Sequence, residues 1–130
     1  MKTKLWRLTN KNLQEDLAEA ATLLKAGELV AFPTETVYGL GANGLNPEAC
    51  KKIFAAKGRP VDNPLILHIS KMAEIYPLTS GLSAYAQKLA QAFWPGPMTM
   101  IVRKSDLISD VVTAGLDTVA VRLPSNPVAN

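Results

Sequence analysis

A chain of 130 residues has the size of one domain, expected here over residues 1–130; 48% hydrophobic content supports a packed core, and 19% charged content excludes a disordered tail. With 14 Lys and Arg against 11 Asp and Glu the net charge is +3, which permits an anionic ligand or RNA but lacks the dense charge of a histone-like binder. The single Cys50 excludes an intramolecular disulfide and any CxxC zinc site, and reads as a buried core thiol. No metal ligand set is expected. No run approaches the ~20 apolar residues that span a bilayer, and Met1–Trp6 lacks the apolar core of a signal peptide. The expectation is a cytoplasmic protein with no membrane partner.

In chain order, Leu13, Leu17, Ala21 and Leu24 recur at helical spacing and predict a helix from about Asn12 to Lys25, stopped by Gly27. Glu28–Phe32 reads as a buried strand ended by Pro33. A glycine-rich loop follows. Asn46 before Pro47 is an N-cap with proline at the first helical position; that helix carries Cys50, Ile53 and Phe54 inward and stops at Gly58. Leu65–Ile69 is the next strand. A helix from about Ser83 to Phe93 puts Tyr85, Leu89 and Phe93 on one face, and Trp94-Pro95-Gly96-Pro97 breaks it. Met98–Val102 and Thr118–Leu123 are strands. Interleaved helices and strands make the class α/β.

Two loops concentrate the chemistry. Pro33-Thr34-Glu35-Thr36-Val37-Tyr38 offers hydroxyls beside a strand, and Lys57-Gly58-Arg59-Pro60 offers two fixed cations with Asp62 the only acid nearby. Prolines stiffen the second loop, and a planar guanidinium held there suits a phosphate. Lys57 alone could be a helix-dipole partner, and Asn63 alone could cap its own turn. His68, the only histidine, alternates with Leu67 and Ile69 and is expected to face the opposite side of its strand. The segment Gly39–Gly44 matches the form G-x-G-x-x-G, but the glycines do not stand between a strand and a helix N-terminus, so a dinucleotide fold is not expected. Glu35 is a lone carboxylate without an acid/base partner in sequence. Trp6, Tyr38 and Trp94 are expected in the core or in pocket walls.

Five blocks in order resemble one family: Pro33–Asn43, Lys57–Pro60, Asn63–Ile66, Trp94–Pro97 with Thr99, and Thr118–Arg122 with Pro124. They closely resemble the YrdC-like threonylcarbamoyl-adenylate synthases over about residues 13–127. The resemblance implies a twisted, mixed α/β sheet with a basic cavity. It implies synthesis of threonylcarbamoyl-AMP and pyrophosphate from L-threonine, bicarbonate and ATP, feeding threonylcarbamoyladenosine modification of tRNA. By motif position, Thr36, His68 and Arg122 would contact threonine. Arg59, Asn63 and Thr118 would contact ATP. Lys57 and Arg59 would carry the phosphate chemistry. Mg²⁺ would arrive with ATP, and tRNA or double-stranded RNA and tRNA-modification proteins would be partners.

In that family another strand and a Ser-x-Asn segment follow, so the chain is expected to be an incomplete, C-terminally truncated catalytic domain. Its activity alone is then in doubt. Strand Thr118–Leu123 is expected to have one uncovered edge, inviting self-association. Two other readings stand beside this one. One is a carbamoyl-phosphate-dependent, carbamoyl-adenylate-forming domain, against which the lone Cys50 argues. The other is a non-catalytic RNA-binding module, which would show steep salt dependence.

Overall fold

The computed structural model describes residues 2–130. Helix α1 spans Leu13–Lys25, and Gly27, at φ 83°, turns the chain out of it while its N–H bonds Leu24 O. Only glycine enters that left-handed region freely. Strand β1, Val30–Phe32, pairs antiparallel with β2, Gly39–Gly41, as a two-stranded ribbon. Gly39 and Gly41 therefore lie in a strand, which removes the dinucleotide-loop geometry. Helix α2, Pro47–Lys57, starts where Asn46 Oδ1 accepts from the N–H groups of Glu48 (3.1 Å) and Ala49 (3.2 Å). It ends on Gly58 at φ 60°. As expected, α2 buries Cys50, Ile53 and Phe54.

Strand β3, Ile66–His68, is followed by a 3-10 segment, Met72–Leu78, then α3, Ala84–Phe93, β4, Thr99–Arg103, a short α4, Asp110–Thr113, and β5, Thr118–Arg122. The second sheet runs in the order β3-β5-β4, with β3 parallel and β4 antiparallel to β5. The sheet is mixed, as the family resemblance implies. The expected free edge on β5 is corrected: β5 is the central strand, bonded on both sides. Sequence carries each strand's apolar pattern but not its order, and this placement removes that particular ground for self-association.

One face of this sheet is the core face. Leu67, Met100, Val102, Val119 and Val121 alternate inward and pack with Ile75, Trp94 and Val112. Trp94 is buried, and its indole N–H donates to Met98 O at 2.7 Å. The inward side of α3 is Ala86, Leu89 and Ala90, whereas Tyr85 and Phe93 stand exposed. An i, i+4, i+8 set drifts around a 3.6-residue helix, so its ends leave the buried stripe. Trp6 is not in the core; its N–H donates to Glu19 on α1 at 3.1 Å, and Lys4 stands over its ring at 5.5 Å.

Candidate functional site

The opposite face of the three-stranded sheet is open. Period-2 alternation that sends Leu67, Val121 and Met100 into the core sends their neighbours outward. His68 is in register with Arg122 on β5, and Arg122 with Thr99 on β4, so the three form one row across the sheet. Arg122 donates from Nε (3.0 Å) and Nη2 (2.8 Å) to Thr99 Oγ1. That fork fixes the guanidinium in place. His68 and Arg122 are among the residues lining a broad cleft of about 2340 Å³ whose walls also include the N-terminal segment, α1, the β1–β2 ribbon and α2. Ligand pockets run to roughly 300–1,000 Å³, so the cleft has room for more than one small ligand.

His68 Nδ1 lies 3.4 Å from Ile66 O. Burial, the first cause, and the nearby positive charge of Arg122 push its pKa below the ordinary value; the Ile66 contact and the charge of Glu35 partly oppose this. The shift favours the neutral imidazole, although the His68 side chain stays exposed to the cleft. With Nδ1–H assigned to Ile66 O, Nε2 is a free acceptor. Phe32 meets the histidine edge-on, with ring centroids 6.0 Å apart at 79°. Phe32 in turn lies on Gly41, where a Cβ would come within 2.5 Å of its ring. The absence of a side chain at Gly41 is thus what lets the phenyl ring back the histidine.

The Pro33–Tyr38 loop forms the rim. Thr34 Oγ1 donates to Val37 O at 2.6 Å and lies 3.2 Å from Thr36 Oγ1. Thr34, Thr36, Val37 and Tyr38 line the cleft, and Tyr38 is exposed there as a wall. Glu35 lies outside that lining. Its Oε1 accepts from the N–H and hydroxyl of Ser125, the latter at 2.8 Å, and from the N–H of Asn126 at 3.0 Å. Burial raises the Glu35 pKa, but its own backbone N–H and the Ser125 and Asn126 donors outweigh that, and the carboxyl is held at about 2. Glu35 is ionised throughout the neutral range.

Lys57 closes the last turn of α2, and the left-handed Gly58 turns the chain so that Arg59 follows at the cleft. Arg59 Nη2 donates to Pro64 O at 3.3 Å, while its buried Nε has no hydrogen-bond partner among the described residues. Asn63 sits exposed in the 60–64 turn, its N–H bonded to Pro60 O at 3.2 Å. Thr118 lies on the same sheet face as Arg122 but four residues away, about 13 Å at strand rise. The structure thus brings Thr36, Lys57, Arg59, His68 and Arg122 to one cleft and leaves Asn63 and Thr118 outside its lining. Sequence reasoning missed the bracing role of Thr99, the packing of Phe32 on His68 and the contact of Glu35. Among the described residues no three or more His, Cys, Asp or Glu side chains stand together as a metal site.

Comparison with known proteins bears on this geometry. The family model for Sua5, YciO and YrdC proteins, described as telomere recombination, matches residues 22–130. The threonylcarbamoyl-AMP synthase of Pyrococcus abyssi is 50% identical over 123 residues, covering 91% of this chain and 36% of that protein. The enzyme of the same name from Bacillus subtilis is 52% identical over 134 residues, covering 99% of this chain and 39% of the relative. The crystal structure of P. abyssi Sua5 complexed with L-threonine superposes with a TM-score of 0.88 at 48% identity, over 95% of this chain and 35% of that one. The chain spans little more than a third of the length of these relatives.

Proposed function

This chain belongs to the Sua5, YciO and YrdC family, and on that premise we propose that its cleft serves L-threonylcarbamoyladenylate synthesis. The reaction joins L-threonine, bicarbonate and ATP into threonylcarbamoyl-AMP and releases pyrophosphate. The observation that carries this reading is that His68 and Arg122, the latter braced by Thr99, line one cleft together with Thr34, Thr36, Lys57 and Arg59. A small zwitterion and a polyphosphate need two such neighbouring subsites. The name of the P. abyssi complex, with L-threonine bound, supports the same choice of amino acid.

In this proposal Arg122, steadied by Thr99, takes the threonine carboxylate as a charge-assisted pair. Thr36 and the neutral His68 take its hydroxyl and amine. Bicarbonate takes up a proton and loses water to give carbon dioxide, the neutral amine adds to its carbon and loses a proton to form the carbamate, and a carbamate oxygen then attacks the α-phosphate as the bond to pyrophosphate breaks. Lys57 and Arg59 offset charge on the phosphates. Asn63 and Thr118 are assigned to the nucleotide, the former from the 60–64 turn and the latter along the open sheet face. Mg²⁺ enters with ATP. No protein nucleophile is required; holding the reactants together can supply about 7–11 kcal/mol. The product would pass to tRNA-modification proteins in the cytoplasm. No helix among the described residues is long and apolar enough to cross a membrane.

The test is pyrophosphate release from ATP by the full-length protein, with threonine, serine or valine. Release should require bicarbonate and be fastest with threonine. Equal rates with no amino acid would sink the proposal.

A further inference from the structure

We propose that Glu35 is a positioning residue: by clamping the Pro33–Tyr38 loop onto Ser125–Asn126 it holds the Thr34 and Thr36 hydroxyls against the His68–Arg122 floor. This inference rests on the reading of the cleft as an amino-acid site.

The loop alternates. Thr34 and Thr36 line the cleft, while Glu35 between them is not part of the lining. One oxygen of Glu35 gathers both donors of Ser125 and the N–H of Asn126, across 90 and 91 residues of sequence. Among the described residues the other hydrogen bonds of the loop are internal to it, as from Thr34 to Val37 and from Thr36 N–H to Thr34 Oγ1. These shape the loop but do not locate it.

The receiving side is rigid. Leu123 and Pro124 are buried directly after Arg122, and Leu123 O accepts from Gly96 N–H at 2.8 Å. Asn126 Oδ1 closes its own turn by accepting from Val128 N–H at 2.9 Å, and Asn130 Nδ2 donates to Pro124 O at 3.0 Å. Ser125 is only three residues beyond Arg122. Glu35 therefore ties the hydroxyl rim to the same strand run that presents the guanidinium. The low pKa agrees with a carboxylate whose Oε1 collects three donors, while its buried Oε2 has no hydrogen-bond partner among the described residues.

Three variants of the full-length protein test this: Glu35→Ala, Glu35→Gln and Ser125→Ala. Readouts are L-threonine and ATP titrations by calorimetry, and hydrogen exchange at residues 34–38 and 125–126. In Glu35→Ala, threonine affinity should fall by about tenfold or more while ATP affinity stays within about twofold, since misplacement of a positioning group acts on the ligand it orients. Amides 34–38 should exchange faster together with 125–126. Glu35→Gln, which keeps an acceptor, should recover part of the loss. Ser125→Ala removes one of the donors and should shift both readouts the same way by less, which covers the case in which Glu35→Ala does not fold. Unchanged exchange at 34–38 with threonine affinity within about twofold overturns the clamp, as does an equal loss of both ligands. If the unmodified protein binds no threonine, the functional reading fails, and exchange at 34–38 alone decides the clamp.

Discussion

Arg59 and Arg122 present fixed positive charge to two parts of one cleft. Arg122 is braced by Thr99 beside the hydroxyl rim, whereas Arg59 leans on Pro64 O after the left-handed turn at Gly58. Arg59→Ala should weaken ATP by about 1.5–3 kcal/mol and leave threonine unaffected, and Arg122→Ala should weaken threonine by a similar ~1.5–3 kcal/mol, the scale of hydrogen bonds to charged groups. Calorimetric titration of each ligand against each variant separates them. Loss of the same ligand in both variants would contradict the division of the cleft. Arg59, Thr36 and His68 were legible as polar groups in stiff loops or at an alternate strand position, whereas Arg122 entered only through the family resemblance. Glu35 was not legible, because its partners lie 90 residues on and a lone carboxylate has no local pattern. Thr99 stood in a motif block but without a role, for the same reason: its meaning comes from register with Arg122, 23 residues away.

Helix α2 carries the cation loop at its C-terminal end and depends on Asn46 at its start. Asn46 Oδ1 accepts from two otherwise orphaned N–H groups, those of Glu48 and Ala49. Asn46→Ala should cost about 1 kcal/mol of stability, read as a lower denaturation midpoint at unchanged slope, with ATP affinity retained. An unchanged midpoint would mean the cap contributes nothing to α2. This helix was readable because Asn46, Pro47 and Gly58 punctuate an apolar stripe. The elements missed are those without a period. β2 is Gly39-Leu40-Gly41, and glycine is depleted in strands. The 3-10 segment Met72–Leu78 contains Pro77, and α4 has four residues, too few for a helical repeat to show. Yet Ile75, in that 3-10 segment, and Val112, in α4, are both fully buried.

Across the whole molecule, one sheet serves two purposes by alternation. One face of β3-β5-β4 builds the core through Leu67, Val121 and Met100; the other presents His68 and Arg122 to the cleft, with Thr99 bracing Arg122. The row stays rigid because its strands are pinned from behind. The α/β class and the mixed sheet followed from the order of elements and the five motif blocks. The central place of β5 did not, since strand order is set by long-range pairing that apolar periodicity leaves open. The central claim is that this cleft brings threonine, bicarbonate and ATP together in one reaction. The most direct test incubates the full-length protein with L-threonine, ATP and isotopically labelled bicarbonate and examines the adenylate by mass spectrometry. Threonylcarbamoyl-AMP carrying the label, with equimolar pyrophosphate, is the expected product. Pyrophosphate release without a labelled threonine adduct would contradict the claim.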